Sequence, residues 1–231
     1  MKVLLTAINS KFVHSNLAVR YLKAFTEDMD YECKIREFSI NDRDEKILEE
    51  IIKEKADVIA FSTYIWNIEV VKRLSNLIKL VDENIKARNK IELSLNELPR
   101  CVYQGDLNYS NILVDDNDNF VGIIDFNMFG TEVNINCFLN ETMYYLTIED
   151  FETLTAKEIY SKMKIIQDDM MQYILSSYKL TDIENLLLEE YRKVIYISFF
   201  PNVMLWIELI DKSDICDKVI ELLNIILVEF R

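Results

Sequence analysis

The sequence predicts an α/β half, a three-stranded parallel βαβαβα arrangement of Rossmann-like kind, followed by a mainly α half that carries a small β-hairpin. Three observations predict this. Strand-length apolar runs alternate with amphipathic stretches over the first eighty-odd residues, the pattern of a parallel sheet wrapped by helices. Behind residue 150 apolar residues recur at helical spacing almost to the end. Between the two lies CVYQGDLNYSNILVDDNDNFVGIIDFN, residues 101–127, where carboxylates and amides crowd between strand-like runs.

In chain order, KVLLTAI (2–8) is a continuous apolar run with β-branched content, as in a strand buried on both faces. SNLAVRYLKAF (15–25) places Leu17, Tyr21, Leu22 and Phe25 on one apolar helical stripe. YECKIREF (31–38) alternates like a second strand. The Asp-rich start of the next segment suits a helix N-terminus, with Ile47, Leu48, Ile51 and Ile52 as its stripe. DVIAFSTY (57–64) is a third strand. Asn67 can cap the helix after it, which carries Ile68, Val71, Leu74, Leu77 and Val81. Three parallel strands leave an exposed edge, so this half reads as part of a fold. Residues 83–99 form a polar helical connector, ended by Pro99, which disfavours helix at Leu98. Residues 100–231 make the second half. There Thr155 with Glu158 and Thr181 with Glu184 have capping-box spacing. Stripes follow through Ile159, Met163, Ile166, Met170 and Tyr173, then Ile183, Leu187, Tyr191 and Val194, then Ile215, Val219, Leu222, Leu223, Ile226 and Leu227.

Composition narrows the function. A formal charge of −14 opposes binding to nucleic acid or to anionic membranes, because both need clustered Lys and Arg. It tolerates a cationic small molecule, although an acidic surface also serves solubility. Cys33, Cys101, Cys137 and Cys216 are scattered without a C-x-x-C pair, so metal and redox clips are not suggested. Lys11 and His14 interrupt the N-terminal apolar run where a signal peptide would stay apolar, and no run reaches membrane-spanning length. A soluble, cytoplasmic protein is expected.

In the polar stretch, DDNDN is a turn, since Asp and Asn tolerate left-handed backbone, and FVGIID is a returning strand. Asp106 and Asn111 then lie on a loop, with Asp125 at the end of the hairpin. Three oxygen-bearing side chains from two segments suit Mg²⁺, a hard ion that bridges to nucleotide phosphates. An ordinary hairpin with a polar turn reads the same way.

The order Gln104-Gly105-Asp106, Asn111, Ile124-Asp125-Phe126 resembles the core of the aminoglycoside phosphotransferase and choline kinase family, whose pattern is H-x-D-x-x-x-x-N, a hairpin, then I-D-[FW]. The resemblance implies a protein-kinase-like C-terminal lobe over about residues 90–231. By the same likeness Asp106 would be the catalytic base, and Asn111 and Asp125 would hold Mg²⁺ as part of an ATP site. Gln104, in place of the motif His, would belong to the cofactor-binding set with Asn111 and Asp125 and bear on how the loop is positioned. The substrate would be a small hydroxyl-bearing molecule, and the acidic composition would tolerate a cationic one. Two features depart from the family. No Asp occurs between Met128 and Leu139, and no glycine precedes Gly105, so the Gly-rich nucleotide clamp is missing and activity should be impaired.

The front half has its own likeness. MKVLLTAINSKFVHSNLAVRYLKAF, EFSIND and ADVIAFSTYIWNIEVV resemble the opening of the cobalamin-binding-type domain that precedes radical S-adenosylmethionine domains, over about residues 1–82. The D-x-H-x-x-G ligand motif and the C-x-x-x-C-x-x-C cluster motif are not seen. His14, the only histidine, reads better as a solvated loop residue than as a cobalt ligand. Bound cobalamin is therefore not expected from the sequence. The leading expectation is a small-molecule phosphotransferase; the alternatives are a non-catalytic interaction module or a cobalamin-type cofactor-binding fragment. A second copy pairing along the bare sheet edge is the partner left open.

Overall fold

β1 (Lys2–Asn9) is the central strand of a three-stranded parallel sheet of order β2-β1-β3, with β2 at Glu32–Ser39 and β3 at Val58–Ser62. The computed structural model describes residues 1–10, 15–209 and 213–229. Its chain divides into two units, Met1–Asp82 and Glu83–Arg231.

In the first unit β1 is apolar on both sides because helices cover both sides. Leu4 and Ile8 pack with Ile47 and Ile51 of α2 (Asp44–Lys53) and with Val71 and Leu74 of α3 (Ile68–Ser94). Leu5 and Ala7 point the other way, onto Val19 of α1 (Leu17–Phe25). The alternation follows from the strand period of two. β1 leads through α1 to β2 on one side, and β2 returns through α2 to β3 on the other. Crossovers of one hand that reverse direction put their helices on opposite faces.

The α1 stripe is a correction. Leu17, Tyr21, Leu22 and Phe25 are all exposed, and Val19 is the residue that reaches the sheet. The stripe is amphipathic as read, yet its apolar side lies away from this sheet. The connector is corrected too: α3 runs unbroken from Ile68 to Ser94, so residues 83–94 extend an existing helix instead of starting one.

The second unit takes in the last part of α3, and its first strand is β4 (Arg100–Tyr103), directly after Pro99. A short 3-10 turn at Tyr109–Asn111 leads into the antiparallel hairpin of β5 (Ile112–Val114) and β6 (Phe120–Ile123). Asp115 Oδ1 accepts from the Asn117 and Asn119 amides, both at 2.9 Å, and Asp118 is left-handed at φ 63°, so the DDNDN segment turns as its composition requires. β4 pairs with β7 (Gly130–Val133), a short strand the sequence reading missed. Helices follow: α4 (Asn134–Glu141), α5 (Ile148–Thr153), α6 (Ala156–Leu175), α7 (Asp182–Ser198), α8 (Phe200–Leu209) and α9 (Ser213–Asn224), which passes into a π-helical turn at Ile225–Glu229.

Thr155 with Glu158 and Thr181 with Glu184 are capping boxes, and Thr147 with Asp150 is a third. No helix among the described residues is long and apolar enough to cross a membrane.

Candidate functional site

Open α/β sheets bind ligands outside the carboxyl ends of their strands, where the winding direction reverses. In this sheet that point lies between β1 and β3. Asn67 builds it. Fully buried, it donates from Nδ2 to the carbonyls of Ile8 and Ser62, both at 3.0 Å, tying the ends of β1 and β3 together. Its Oδ1 accepts from the Tyr64 amide at 2.7 Å, while its own N–H donates to the Tyr64 carbonyl at 3.1 Å. The sequence marked Asn67 as a helix cap, but its side chain is spent on the loop behind it.

That tight loop pushes Ile65 out to 96 % exposure and Trp66 to 51 %. The Trp66 ring stacks on Tyr64 with centroids 4.4 Å apart and planes 7° from parallel. The result is a flat apolar platform beside the strand ends.

A polar rim adjoins it. Glu37, near the end of β2, accepts from Asn9 Nδ2 at 3.1 Å, from the Asn16 amide at 2.8 Å and from Arg20 Nη2 at 2.7 Å. Burial alone would raise its carboxyl; these donors outweigh burial and hold it below the ordinary value. Asn16 caps α1 through Val19 N–H and donates to Ser62 Oγ at 3.2 Å. Asn9, Asn16, Glu37 and Ser62 thus form one hydrogen-bonded polar network at the same edge. His14, considered as a cobalt ligand or a solvated loop residue, lies outside the described residues.

The second cluster holds the residues singled out by the phosphotransferase likeness. Gln104 is buried, and its amide is fully engaged: Nε2 donates to the carbonyls of Ile124 (3.2 Å) and Asp125 (2.6 Å), and Oε1 accepts from the Asp106 amide at 2.7 Å. Asn111 Nδ2 donates to the Asp106 carbonyl at 2.8 Å and to Asp106 Oδ2 at 3.2 Å. Asp106 and Asn111 are therefore in direct contact, and Gln104 joins them to Asp125 through main-chain atoms. Asp125 is exposed, with left-handed backbone at φ 59°, and its Oδ1 accepts from the Asn127 amide at 3.4 Å. Gly105, at φ 91°, lies so close to the Met128 carbonyl that a Cβ there would sit 2.2 Å from its oxygen. Among the described residues no group of three or more His, Cys, Asp or Glu side chains could hold a metal ion.

Residues 3–88 match the family model of the B12 binding domain. No curated protein and no solved structure matches the chain. This corrects two expectations. The phosphotransferase reading, with its Mg²⁺ and ATP, has no support from these comparisons, and the family model that matches is that of a cofactor-binding domain. The hydrogen bonds suggest why the motif misled: Gln104 and Asn111 spend their amides on holding a loop to a hairpin, which rewards the same residue spacing. The expectation against cobalamin is likewise overturned. It rested on the missing D-x-H-x-x-G motif and on a histidine, His14, without its following glycine.

Proposed function

We propose that the unit Met1–Asp82 binds a corrinoid at the carboxyl edge of its sheet. One observation carries the reading: residues that match a B12 binding domain place a stacked aromatic platform and an amide rim at the reversal point of a parallel sheet. The lining suits the ligand. A corrin presents broad apolar faces and a fringe of amides; Tyr64, Ile65 and Trp66 offer the first a surface, and the Ser62 hydroxyl, held in place by Asn16, offers the second a donor. When bound, a corrinoid supplies a cobalt centre suited to alkyl transfer or electron transfer. In this chain Asn67 holds the platform in place and Glu37 holds the rim.

Titrating the full chain with hydroxocobalamin tests the proposal, followed by its visible absorption and by tryptophan emission. Binding should shift the corrin bands and quench Trp66, which lies at the edge, more than Trp206, which is buried in the second unit. Trp66→Ala should weaken binding about tenfold, or ~1.4 kcal/mol. An unchanged spectrum at saturating hydroxocobalamin would remove the proposal.

A further inference from the structure

β2 is an edge strand: the sheet runs β2-β1-β3, and among the described residues no strand pairs with its outer side. Two bonds at its ends fix which way its main chain points. The Glu32 amide donates to the Met1 carbonyl at 3.1 Å, and the Ile40 amide donates to the Asn9 carbonyl at 2.8 Å. Even-numbered residues of β2 therefore turn their N–H and C=O groups toward β1, and Cys33, Ile35 and Glu37 turn theirs outward. Such a row is a template for another strand.

The side chains along this strand are sorted by charge. Asp28, Asp30 and Glu32 come first, then Lys34 and Arg36, all of them exposed. Lys34 and Arg36 lean on Glu54, which Lys2 also holds, so three cations share one carboxylate. Lys34 has only Glu32 of its own strand besides, at 3.5 Å. An antiparallel second β2 lays its acidic beginning over this basic middle, whereas a parallel one lays like on like.

We propose that two copies of this chain associate through antiparallel β2 strands, with the two-fold axis at Cys33. Charge selects this register. It sets Glu32 opposite Lys34 of the other copy, and Arg36 opposite Asp30, on both sides of the axis. Centring on Tyr31 would oppose Asp30 to Glu32, and centring on Ile35 would oppose Lys34 to Arg36. Centring on Glu32, Lys34 or Arg36 would oppose that residue to itself. Opposite charges across a strand pair stabilise it and like charges destabilise it. The main chain agrees, because the outward N–H and C=O of Cys33 meet those of Cys33 in the other copy, as in a hydrogen-bonded antiparallel pair. There is also room. A cleft of about 460 Å³ lies between α1 and β2, lined by Arg20, Lys23, Tyr31, Cys33 and Ile35 among others, so α1 does not close over the strand. The opposite edge, β3, has no charged residue from Val58 to Ser62 and sets no register of this kind.

The test uses the full chain, by sedimentation equilibrium over a concentration series and by a short bismaleimide cross-linker with peptide mapping. Wild type should show a monomer–dimer equilibrium and a cross-link that joins Cys33 to Cys33. Glu32→Lys should weaken association about tenfold, because both flanking pairs then oppose like charges. Adding Lys34→Glu to Glu32→Lys should recover it, since reversing both members keeps the pairs complementary; a folding defect would not be repaired in this way. A chain that stays monomeric at every concentration, association that Glu32→Lys leaves unchanged, or cross-links that omit the Cys33 pair would overturn the proposal.

Discussion

Asn67 shows how one buried amide can set the shape of a site. Its side chain makes three hydrogen bonds, two of them to carbonyls at the ends of different strands. Asn67→Ala leaves those carbonyls buried and unpaired, at a cost of about 1–3 kcal/mol per orphaned group. Urea unfolding should record that loss, and hydroxocobalamin affinity should fall with it because Trp66 is no longer held against Tyr64.

Glu54, at the end of α2, makes a second prediction at this scale. It is nearly buried and accepts from Lys2 at 3.0 Å and Lys34 at 3.2 Å, with Arg36 as third partner. Lys2 first, then Arg36 and Lys34, bring its carboxyl down from 4.5 to about 2. The folded value lies below the unfolded one, so the stabilisation is complete above the unfolded value and disappears as pH falls through the folded one. Wild-type stability should therefore drop between about pH 4.5 and 2. Glu54→Gln should be less stable at neutral pH and lose less over the same acid interval, as measured by urea midpoints across pH.

At the scale of elements, α6 shows where periodic reading slips. Ile159 and Met163 face the core as the sequence implied, but the buried line continues through Gln167 and Met171, while Met170 and Tyr173 are exposed. A polar residue holds the next core position because its partners are there: Gln167 Nε2 donates to the Leu139 carbonyl at 3.0 Å, and Oε1 accepts from Tyr196 Oη at 2.9 Å. Gln167→Leu keeps the bulk but strands both partners. It should destabilise the protein by about 1–3 kcal/mol, measured by chemical denaturation, although apolar transfer alone favours the leucine. The elements legible in advance were those with local causes. The β1 run, the Ile47 and Ile51 stripe and the two Thr–Glu capping boxes each depend on residues within a turn or a strand. What stayed hidden depends on distant partners: β7 needs β4, the exposed side of α1 needs the position of the sheet, and the role of Asn67 needs the carbonyl of Ile8, 59 residues away. The edge proposed to hold a corrinoid was half legible. The sheet that creates it was read from the strand pattern, whereas its platform emerged only from the Tyr64–Trp66 stack.

For the whole molecule, the chain comprises two units of different build. Nearly all of its acidic excess falls after residue 82, so the first unit carries little net charge to repel a ligand. The B12 binding domain match covers that unit and ends a few residues beyond it. A ligand that occupies the β1–β3 edge should order the backbone there and leave the hairpin of the second unit untouched. Hydrogen exchange of the full chain, read by mass spectrometry with and without hydroxocobalamin, measures this most directly. The account predicts slower exchange at residues 8–10 and 62–67 and no change at 112–123; unchanged exchange throughout the first unit, or protection confined to residues 101–127, would contradict it.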